Sequence, residues 1–519
     1  MQRCDRTRIP FHRRRGAGGT AKELRDSMTK RIRIAHLALL LTVACAVYAN
    51  SIGNDFIWDD VELIENNPLI RNPGNLRKIA TTHYWDLGKE GERVIGNYRP
   101  LTVASYLLNY QVAGADPAAF RVVNIALHAL NTCLVYLLCA VLGLSWPAAL
   151  VAGLLFAVHP VHVEAVVWIT GRGELLACFG LLAAMYFHLR HRRDGAPSQV
   201  AASVVFFLLA LLSKESAIAF IPIVIGLEIV LSLAEGAPAS RVRSRVLSCL
   251  PYLLVSLAFL AVRYAVLGGA EDRGAGPGTF FLGSTAAEIF LTMVKVFAKY
   301  WALLLFPAKL SAHYDQIDIP VPESLLDPSF LAAVGVHVAV LAAIIALFRT
   351  KRHLAAFALS WVYLALLPYS HLVHFEWLMA ERFLYIPSVG IALAAALAVE
   401  AVRRTDRAPT RRTAGAVATA ALCAIALLAV RTVDRNRDWA HETEFFGVLA
   451  ADKPTLAGAR LGYGKALEKV GRYEEALTEY EAVVRLRPDL PEMKATIDFL
   501  RLMTAASHPE PTNGARHVP

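Results

Sequence analysis

The sequence predicts an all-α, polytopic membrane helical bundle that ends in a short domain of paired helices. Apolar residues make up 56% of the 519-residue chain and charged residues only 18%, whereas soluble domains have roughly 45–50% and about 25%. The apolar residues form long blocks with almost no charge, and the short gaps between the blocks are rich in arginine. A charged stretch of helical periodicity follows the last block. These features exclude a disordered chain and argue against a soluble enzyme.

The apolar blocks predict about 11 membrane spans. A bilayer core needs about 20 apolar residues per helix, and basic short loops mark the cytoplasmic side. Counting crossings from the arginine clusters places the amino end inside and the carboxyl end outside. Twelve spans, with one loop misread, is the alternative. The clearest blocks are residues 34–53, 148–158, 200–212, 247–267, 331–348 and 415–430.

The same count sets the domain limits. Residues 1–33 carry 11 Lys and Arg against 3 Asp and Glu, so they are predicted to form a basic cytoplasmic tail. The transmembrane domain is predicted over 34–431, with a first outer loop at 54–118. The apolar segment 286–306 has both ends outside in this count. A lysine at the centre of a span costs roughly 2.5–3.5 kcal/mol, so Lys295 in this segment favours an interfacial or re-entrant helix.

The charge and the cysteines narrow the possible partners. The net charge of +10 comes from the amino-terminal tail and the short gaps, a pattern that indicates membrane orientation and not nucleic-acid binding. The seven cysteines lie in the tail or in apolar blocks, and no CxxC motif occurs. A thiolate metal site or a disulfide framework is therefore not expected.

The charged stretch at 432–506 has a 34-residue self-match. Its second copy fits the tetratricopeptide pattern, with small residues where two helices cross and aromatic residues filling the gap. The helix after residue 491 is predicted to cap the repeat, and residues 507–519 are predicted to be disordered. Either a peptide-binding surface or a simple helical cap fits so short an array. The matched residues are Trp439, Phe446 and Pro454 with Tyr473, Tyr480 and Pro488.

Two adjacent carboxylates follow the first span. Asp59 and Asp60 are predicted to lie at the outer membrane surface, where a carboxylate could act as a base or bind a metal. A helix start capped by aspartate is the alternative for this pair.

A second group of polar residues lies at the outer ends of the next spans. Arg99 precedes a proline, and His128 shares one helix face with two asparagines, so this stripe faces protein or water. Helix-to-helix hydrogen bonding is the alternative. His159, His162 and Glu164 end the third span. Their spacing could hold a metal, but no third histidine completes a good zinc set.

Three cations are predicted at the same depth. Arg172, Lys214 and Arg382 each follow or open a span on the outer side, and such cations suit a phosphate held at the membrane surface. The alternative is that they form ion pairs with acidic residues near them. These acids are Glu174, Glu215 and Glu381.

In this order, the motifs resemble the transmembrane and tetratricopeptide-repeat-containing family, which are protein O-mannosyltransferases of the GT-C superfamily. The resemblance covers about residues 56–488, and the Ala- and Arg-rich composition suggests a bacterial homologue in the inner membrane. The animal members carry long repeat arrays, whereas this chain has little more than one repeat. The motifs are Asp59-Asp60, Tyr98-Arg99-Pro100, Asn124 with His128, His159-Pro160-Val161-His162-Val163-Glu164, Gly171-Arg172-Gly173-Glu174, Ser213-Lys214-Glu215, Tyr314-Asp315, and Glu381-Arg382-Phe383-Leu384-Tyr385 through Gly390.

The resemblance implies a GT-C-like bundle and a polyprenyl-phosphate hexose donor, such as a mannose donor. The acceptor would be a hydroxyl of a protein or glycan on the outer face. The family's acidic base falls on Asp59 or Asp60, with Asp60 preferred, and a single base implies inversion at the anomeric carbon. The donor phosphate would be held by Arg172, Lys214 and Arg382. The sugar or acceptor would be positioned by Arg99, His128, His159, His162, Glu164 and Glu381. No cofactor is implied with certainty, and a divalent metal is left open.

Two other classes of function fit parts of the sequence. A non-catalytic membrane scaffold could recruit partners through the repeat, but it would not need acids and cations together at one end of the bundle. A transporter should show polar residues reaching the middle of the membrane from both sides, whereas here they are predicted at the outer ends.

Overall fold

The computed structural model describes residues 19–86, 96–268, 281, 284–322, 324–373, 375, 377–404, 411–489 and 492–507. Within these residues every regular element is a helix and no strand occurs, so the predicted all-α class is confirmed. The first helix begins at Gly19 and includes part of the predicted basic tail. Residues 1–18 of that tail, and all but the first residue of the predicted disordered end at 507–519, lie outside the described residues.

The chain folds into two compact units, of which the first comprises Met1–Ile52 and Asp59–Asn436. Its helices are α1 Gly19–Tyr48, α2 Leu76–Ile79, α3 Pro100–Ala113, α4 Pro117–Val141, α5 Trp146–Val158, α6 Val163–Val167, α7 Arg172–Asp194, α8 Pro197–Ser213, α9 Phe220–Ala234, α10 Ala239–Leu247, α11 Leu250–Leu267, α12 Ala286–Leu305, α13 Pro328–Arg349, α14 His353–Leu366, α15 Ser388–Arg403 and α16 Arg411–Arg435.

Among the described residues, six helical stretches are long and apolar enough to cross a membrane. A seventh candidate is the pair α5 and Pro160–Val167, which is bent by 50° after His159. Two shorter apolar helices, Pro197–Ser213 and His353–Tyr369, add to this set. The total of 11 spans and the interfacial placement of α12 remain predictions. The six stretches are Lys30–Ser51, Pro117–Val141, Glu215–Ala234, Ala239–Leu267, Pro328–Arg349 and Gly415–Trp439.

Local sequence sets where these helices begin and where they pack closely. Asp116 caps α4 by accepting a hydrogen bond from the Ala118 amide at 3.0 Å, and a proline opens the helix, as expected for a helix start. Gly180 lies where α7 meets α8, because a Cβ there would come within 2.6 Å of the Phe206 carbonyl oxygen. Small residues at such crossings let membrane helices approach closely and gain dispersion energy.

Arg172 is buried at the start of α7 and links this helix to two others. Its Nε donates to Asn124 Oδ1 of α4 at 2.8 Å, and its NH2 donates to Asn109 Oδ1 of α3 at 2.9 Å. NH2 also bonds the Phe120 carbonyl at 2.9 Å, and NH1 bonds the Ser105 carbonyl at 3.2 Å. All three nitrogens of one guanidinium thus tie α3, α4 and α7 together.

The second unit comprises Gly53–Trp58 and Arg437–Pro519. It contains α17 Glu442–Asp452, α18 Ala457–Lys469, α19 Tyr473–Leu486 and α20 Glu492–Ser507. Ala476 and Tyr480 are buried between these helices, and the Tyr480 hydroxyl donates to Glu468 at 2.7 Å. Gly464 makes room for the Tyr480 ring, since a Cβ there would lie 2.7 Å from it.

The last helix of this unit packs as the sequence predicts. Met493, Ile497 and Leu500 of α20 join one apolar core with Leu467, Ala476 and other residues of α18 and α19. The segment therefore has the small-residue crossing, the aromatic filling and the cap that the repeat pattern predicts. Its assignment as a tetratricopeptide repeat remains a prediction.

We expect Arg172→Lys to destabilise the bundle. Lysine keeps the charge but loses the planar fork, so acceptors on α3 and two buried acceptors on α4 lose their donor, at a cost of about 2 kcal/mol or more. The measurement is the thermal unfolding of the purified protein in detergent. Arg190→Lys is the matched control, because Arg190 forms an exposed pair with Asp194 and such pairs contribute little. Equal melting temperatures for the two variants would contradict the role of Arg172 in linking the helices.

We expect Ala476→Arg to unfold the second unit. A long charged side chain has no space at a fully buried alanine, and the cost is about 3 kcal/mol or more. Limited proteolysis of the full-length protein in membranes should then cleave within α17 to α20 while the membrane unit stays intact. Thr478→Arg, at an exposed site of the same helix, should keep the wild-type pattern. Protection of the Ala476→Arg protein would overturn this packing.

Candidate functional site

Three acid–cation pairs, two of them buried and one half-buried, lie at one end of the membrane helices. Each pair consists of one acidic and one basic side chain from parts of the chain that are distant in sequence. Arg382 and Lys214, and likewise Lys214 and Arg99, are close enough that the charge of one acts on the other. The pairs are Arg382 with Glu164, Lys214 with Glu174 and Arg99 with Glu215.

Arg382 is held by one carboxylate and three rings. Its backbone amide donates to Glu164 Oε2 at 2.8 Å, and its NH1 pairs with Glu164 Oε1. The guanidinium lies over the Trp168, Trp377 and Phe383 rings, at 5.2, 4.7 and 4.9 Å from their centroids. Within the described chain, Glu164 is the only polar partner of this guanidinium. The planar fork thus keeps further donors for an anion.

Lys214 follows α8 and faces the same ring. Its Nζ pairs with Glu174 of α7 and lies 5.3 Å from the Phe383 centroid and 5.8 Å from that of Tyr369. Burial lowers the pKa of Lys214 to about 8, although Glu174 opposes this shift. The ammonium is therefore charged at neutral pH and loses its proton as the pH rises above about 8.

Arg99 precedes α3, and Pro100 opens that helix. Its Nε donates to Glu215 Oε2 at 3.0 Å, and the guanidinium lies 5.0 Å from the Tyr84 ring centroid. The Tyr98 amide donates to the other oxygen of Glu215 at 2.7 Å. Both oxygens of the Glu215 carboxylate therefore accept a hydrogen bond, one from Tyr98 and one from Arg99.

The two adjacent aspartates have different surroundings. Asp60 is fully buried, and its carboxylate accepts hydrogen bonds from the Thr170 amide at 2.9 Å and the Ile169 amide at 3.4 Å. Asp59 is partly exposed. Burial raises the pKa of Tyr84 to about 12, and the charges of Asp59 and Asp60 add to this shift while Arg99 opposes it. Both acids therefore lie near the Tyr84–Arg99 end of the cluster.

The backbone before Asp59 is unusual. Trp58 has a φ of 54°, a left-handed conformation that a bulky residue adopts rarely. Such strain is often found at functional sites.

Glu381 forms a separate buried site. It accepts from the Ser311 amide at 2.6 Å and the Tyr314 hydroxyl at 2.8 Å, and Arg435 NH2 lies 3.8 Å from its other oxygen. Burial raises the pKa of Glu381 to about 7, while Arg435 opposes the shift. Its position beside Arg382 in sequence thus does not make it the partner of Arg382.

The predicted histidines join helices to one another. His128 bonds the Tyr385 hydroxyl through Nδ1 at 2.7 Å and lies 3.0 Å from the Ala157 carbonyl through Nε2. His162 Nε2 bonds Ser388 Oγ at 2.8 Å. These two histidines and Glu164 all contact residues 382–388, which explains why the motifs occur together.

His159, and the two asparagines that share a helix face with His128, also form hydrogen bonds with other helices. His159 Nε2 lies 3.0 Å from the Leu304 carbonyl oxygen. Asn131 donates to the Leu175 carbonyl at 3.0 Å, and Asn124 accepts from Arg172. Helix-to-helix bonding, the alternative for the stripe, thus describes these contacts. In the described part of the chain, no three His, Cys, Asp or Glu side chains converge in a way that could hold a metal ion.

The sequence did not reveal the aromatic side chains around the cations, or a second polar cluster. Trp168, Trp377, Tyr369 and Phe383 surround the cations, and their only signal was their closeness in sequence to charged motifs. The second cluster lies toward the other end of α7. There His188 bonds Glu228 at 2.8 Å and the Tyr252 hydroxyl at 3.0 Å.

Curated proteins similar to this chain carry one activity in their names. Protein O-mannosyl-transferase F38B6.6 of Caenorhabditis elegans is 28% identical over 468 residues, which is 88% of this chain and 63% of the relative. Protein O-mannosyl-transferase Tmtc3 of Drosophila melanogaster is 29% identical and covers 87% and 55% of the two chains. Human protein O-mannosyl-transferase TMTC3 is 27% identical, with 88% and 52% covered.

Each of these matches covers 87–88% of this chain. The chain spans between about half and just under two thirds of the length of these relatives. No protein-family model matches the chain. The resemblance carried by the motifs is nevertheless confirmed, and the chain is a relative of the transmembrane and tetratricopeptide-repeat-containing protein O-mannosyltransferases.

Proposed function

We propose that this chain is a membrane glycosyltransferase that moves a hexose, mannose, from a polyprenyl-phosphate donor to a hydroxyl acceptor. The names of its relatives support the reaction class. The acid–cation cluster supports the donor class, because a lipid-linked sugar brings a phosphate to the membrane surface. The observation that carries the proposal is a partly exposed carboxylate at the Tyr84–Arg99 end of a cluster in which the Arg382 guanidinium retains donors for an anion.

Lys214 and Arg382 hold the donor phosphate in this proposal. Both lie over the Phe383 ring, at 5.3 and 4.9 Å from its centroid. They can therefore reach one phosphate from two directions and stabilise the charge that develops as the phosphate leaves. Arg172 takes a different role, since its guanidinium nitrogens already bond α3 and α4. We assign it to positioning the bundle.

Asp59 is the base in this proposal. The acceptor hydroxyl attacks the anomeric carbon, the bond between that carbon and the phosphate oxygen breaks, and the hydroxyl proton passes to the Asp59 carboxylate. A single direct displacement inverts the anomeric carbon. Asp60, which sequence reasoning preferred, is fully buried and accepts hydrogen bonds from two backbone amides, so it suits a positioning role. The partial exposure of Asp59 supports this exchange of roles.

The remaining predicted residues shape the site. Arg99 with Glu215 borders the aspartates and suits contact with sugar or acceptor hydroxyls. Glu164, His128 and His162 hold the 382–388 segment in place. His159 bonds the end of α12 at Leu304, and Glu381 bonds the loop that follows at Ser311. The acceptor is a protein Ser or Thr, on the outer face of a bacterial inner membrane, and the second unit suits the binding of an acceptor chain.

We expect Asp59→Asn to lower turnover by roughly 100-fold or more, because asparagine keeps the shape and cannot accept the proton. Donor affinity should remain near that of the wild type. The measurement is the rate of mannose transfer from a polyprenyl-phosphate mannose to a Ser/Thr peptide, together with donor binding, on purified protein. Asp55→Asn is the matched control, since Asp55 is an exposed acid four residues earlier, and it should keep full turnover.

Two results would count against this assignment. Full turnover in the double variant Asp59→Asn, Asp60→Asn would end the catalytic role of the pair and would favour a scaffold. Loss of donor binding in Asp59→Asn, with turnover per bound donor unchanged, would make Asp59 a binding residue and not the base.

A further inference from the structure

We propose that Glu174 is an exchangeable counter-charge, which the donor phosphate displaces from Lys214 and which then takes up one proton. This inference rests on the proposed function. It names Glu174 as a positioning residue that links phosphate binding to protonation and selects the charge of the ligand. Nothing in the covalent chemistry of the donor changes in this step, and the proton comes from the solvent.

The two carboxylates nearest the phosphate-binding cations are anchored differently. Glu164 accepts a hydrogen bond from the backbone amide of Arg382 as well as from its guanidinium. That amide stays in place when the guanidinium turns toward a ligand. Glu174 depends on the Lys214 ammonium, and its other contact is the Tyr369 hydroxyl at 3.4 Å from both oxygens. Of the two acids, Glu174 therefore loses its partner more readily.

The charge balance of the cluster then requires a compensating proton. Within the three pairs, three acids face three cations, so these pairs are balanced before a phosphate enters. A phosphodiester adds one negative charge, and an uncompensated buried charge is costly. A carboxylate that has lost its cation in a buried site favours the neutral form. Protonation of Glu174 restores the balance of the pairs.

Side chains from several neighbouring elements lie close enough to Glu174, or to its partner Lys214, to act on its charge. Those near Glu174 are Lys214, Arg99, Tyr369, Tyr300, Tyr385 and Cys178, and those near Lys214 are Arg99 and Arg382.

The exchange gives the site a preference for one charge. The donor is a phosphodiester with a single charge, which one proton on Glu174 balances. The product is a phosphomonoester that carries a second charge near neutral pH, so it leaves one charge unbalanced. The site should therefore bind the donor in preference to the product, which favours product release.

The test measures proton uptake on binding of farnesyl methyl phosphate, a phosphodiester whose own charge is constant near neutral pH. The full-length protein in lipid nanodiscs is titrated by calorimetry in buffers of different ionisation enthalpy. The background is Lys214→Arg, because the pKa of Lys214 is about 8 and arginine removes titration of the cation itself. We expect uptake of about one proton and an affinity that falls about tenfold per pH unit as the pH rises. Both effects should vanish in Lys214→Arg, Glu174→Gln.

Infrared difference spectroscopy on the wild-type protein gives a second readout. Probe binding should produce the carbonyl band of a protonated carboxyl group, which Glu174→Gln removes. Binding without proton uptake, or a band that persists in Glu174→Gln, overturns the exchange while the proposed function stands. Failure of the wild type to bind either farnesyl methyl phosphate or farnesyl phosphate counts against the proposed function itself.

Discussion

A charge buried among membrane helices is stable only when it has a partner, and the candidate site depends on this constraint. Removing one member of a buried pair leaves an uncompensated charge and costs about 3–5 kcal/mol. The chain meets the constraint with the buried pairs Arg382–Glu164 and Lys214–Glu174, and the half-buried pair Arg99–Glu215 lies beside them. Because each pair joins segments far apart in sequence, the same contacts that neutralise the cations also fix the relative positions of the loops that carry them.

This pairing explains which parts of the site the sequence could predict. The sequence predicted the depth of Lys214 and Arg382 relative to the membrane, because the apolar blocks and the arginine clusters together indicate on which side each loop lies. The partners could not be predicted from sequence, since the nearest acid along the chain is often not the nearest in space. Glu381 illustrates this point, because it bonds Ser311 and Tyr314 while Arg382 pairs with Glu164.

The same limit applies to residues of one type. Arg172 and Arg382 both stand at the start of a helical element. The guanidinium of Arg172 bonds α3 and α4, whereas that of Arg382 keeps further donors for an anion. Likewise, adjacency in sequence hid the difference between the buried Asp60 and the partly exposed Asp59. The all-α class and the packing around Tyr480 followed from periodicity, which depends on local sequence alone.

The central claim is that Lys214 and Arg382 hold the phosphate of a lipid-linked donor, and a direct contact measurement tests it. Solid-state NMR recoupling between phosphorus of a bound polyprenyl-phosphate sugar and ¹⁵N-labelled Lys and Arg side chains reports such contacts in membranes. We predict one lysine and one arginine signal, lost in Lys214→Gln and Arg382→Gln respectively. Phosphorus contacts that survive in both variants, with the donor still bound, would contradict the account.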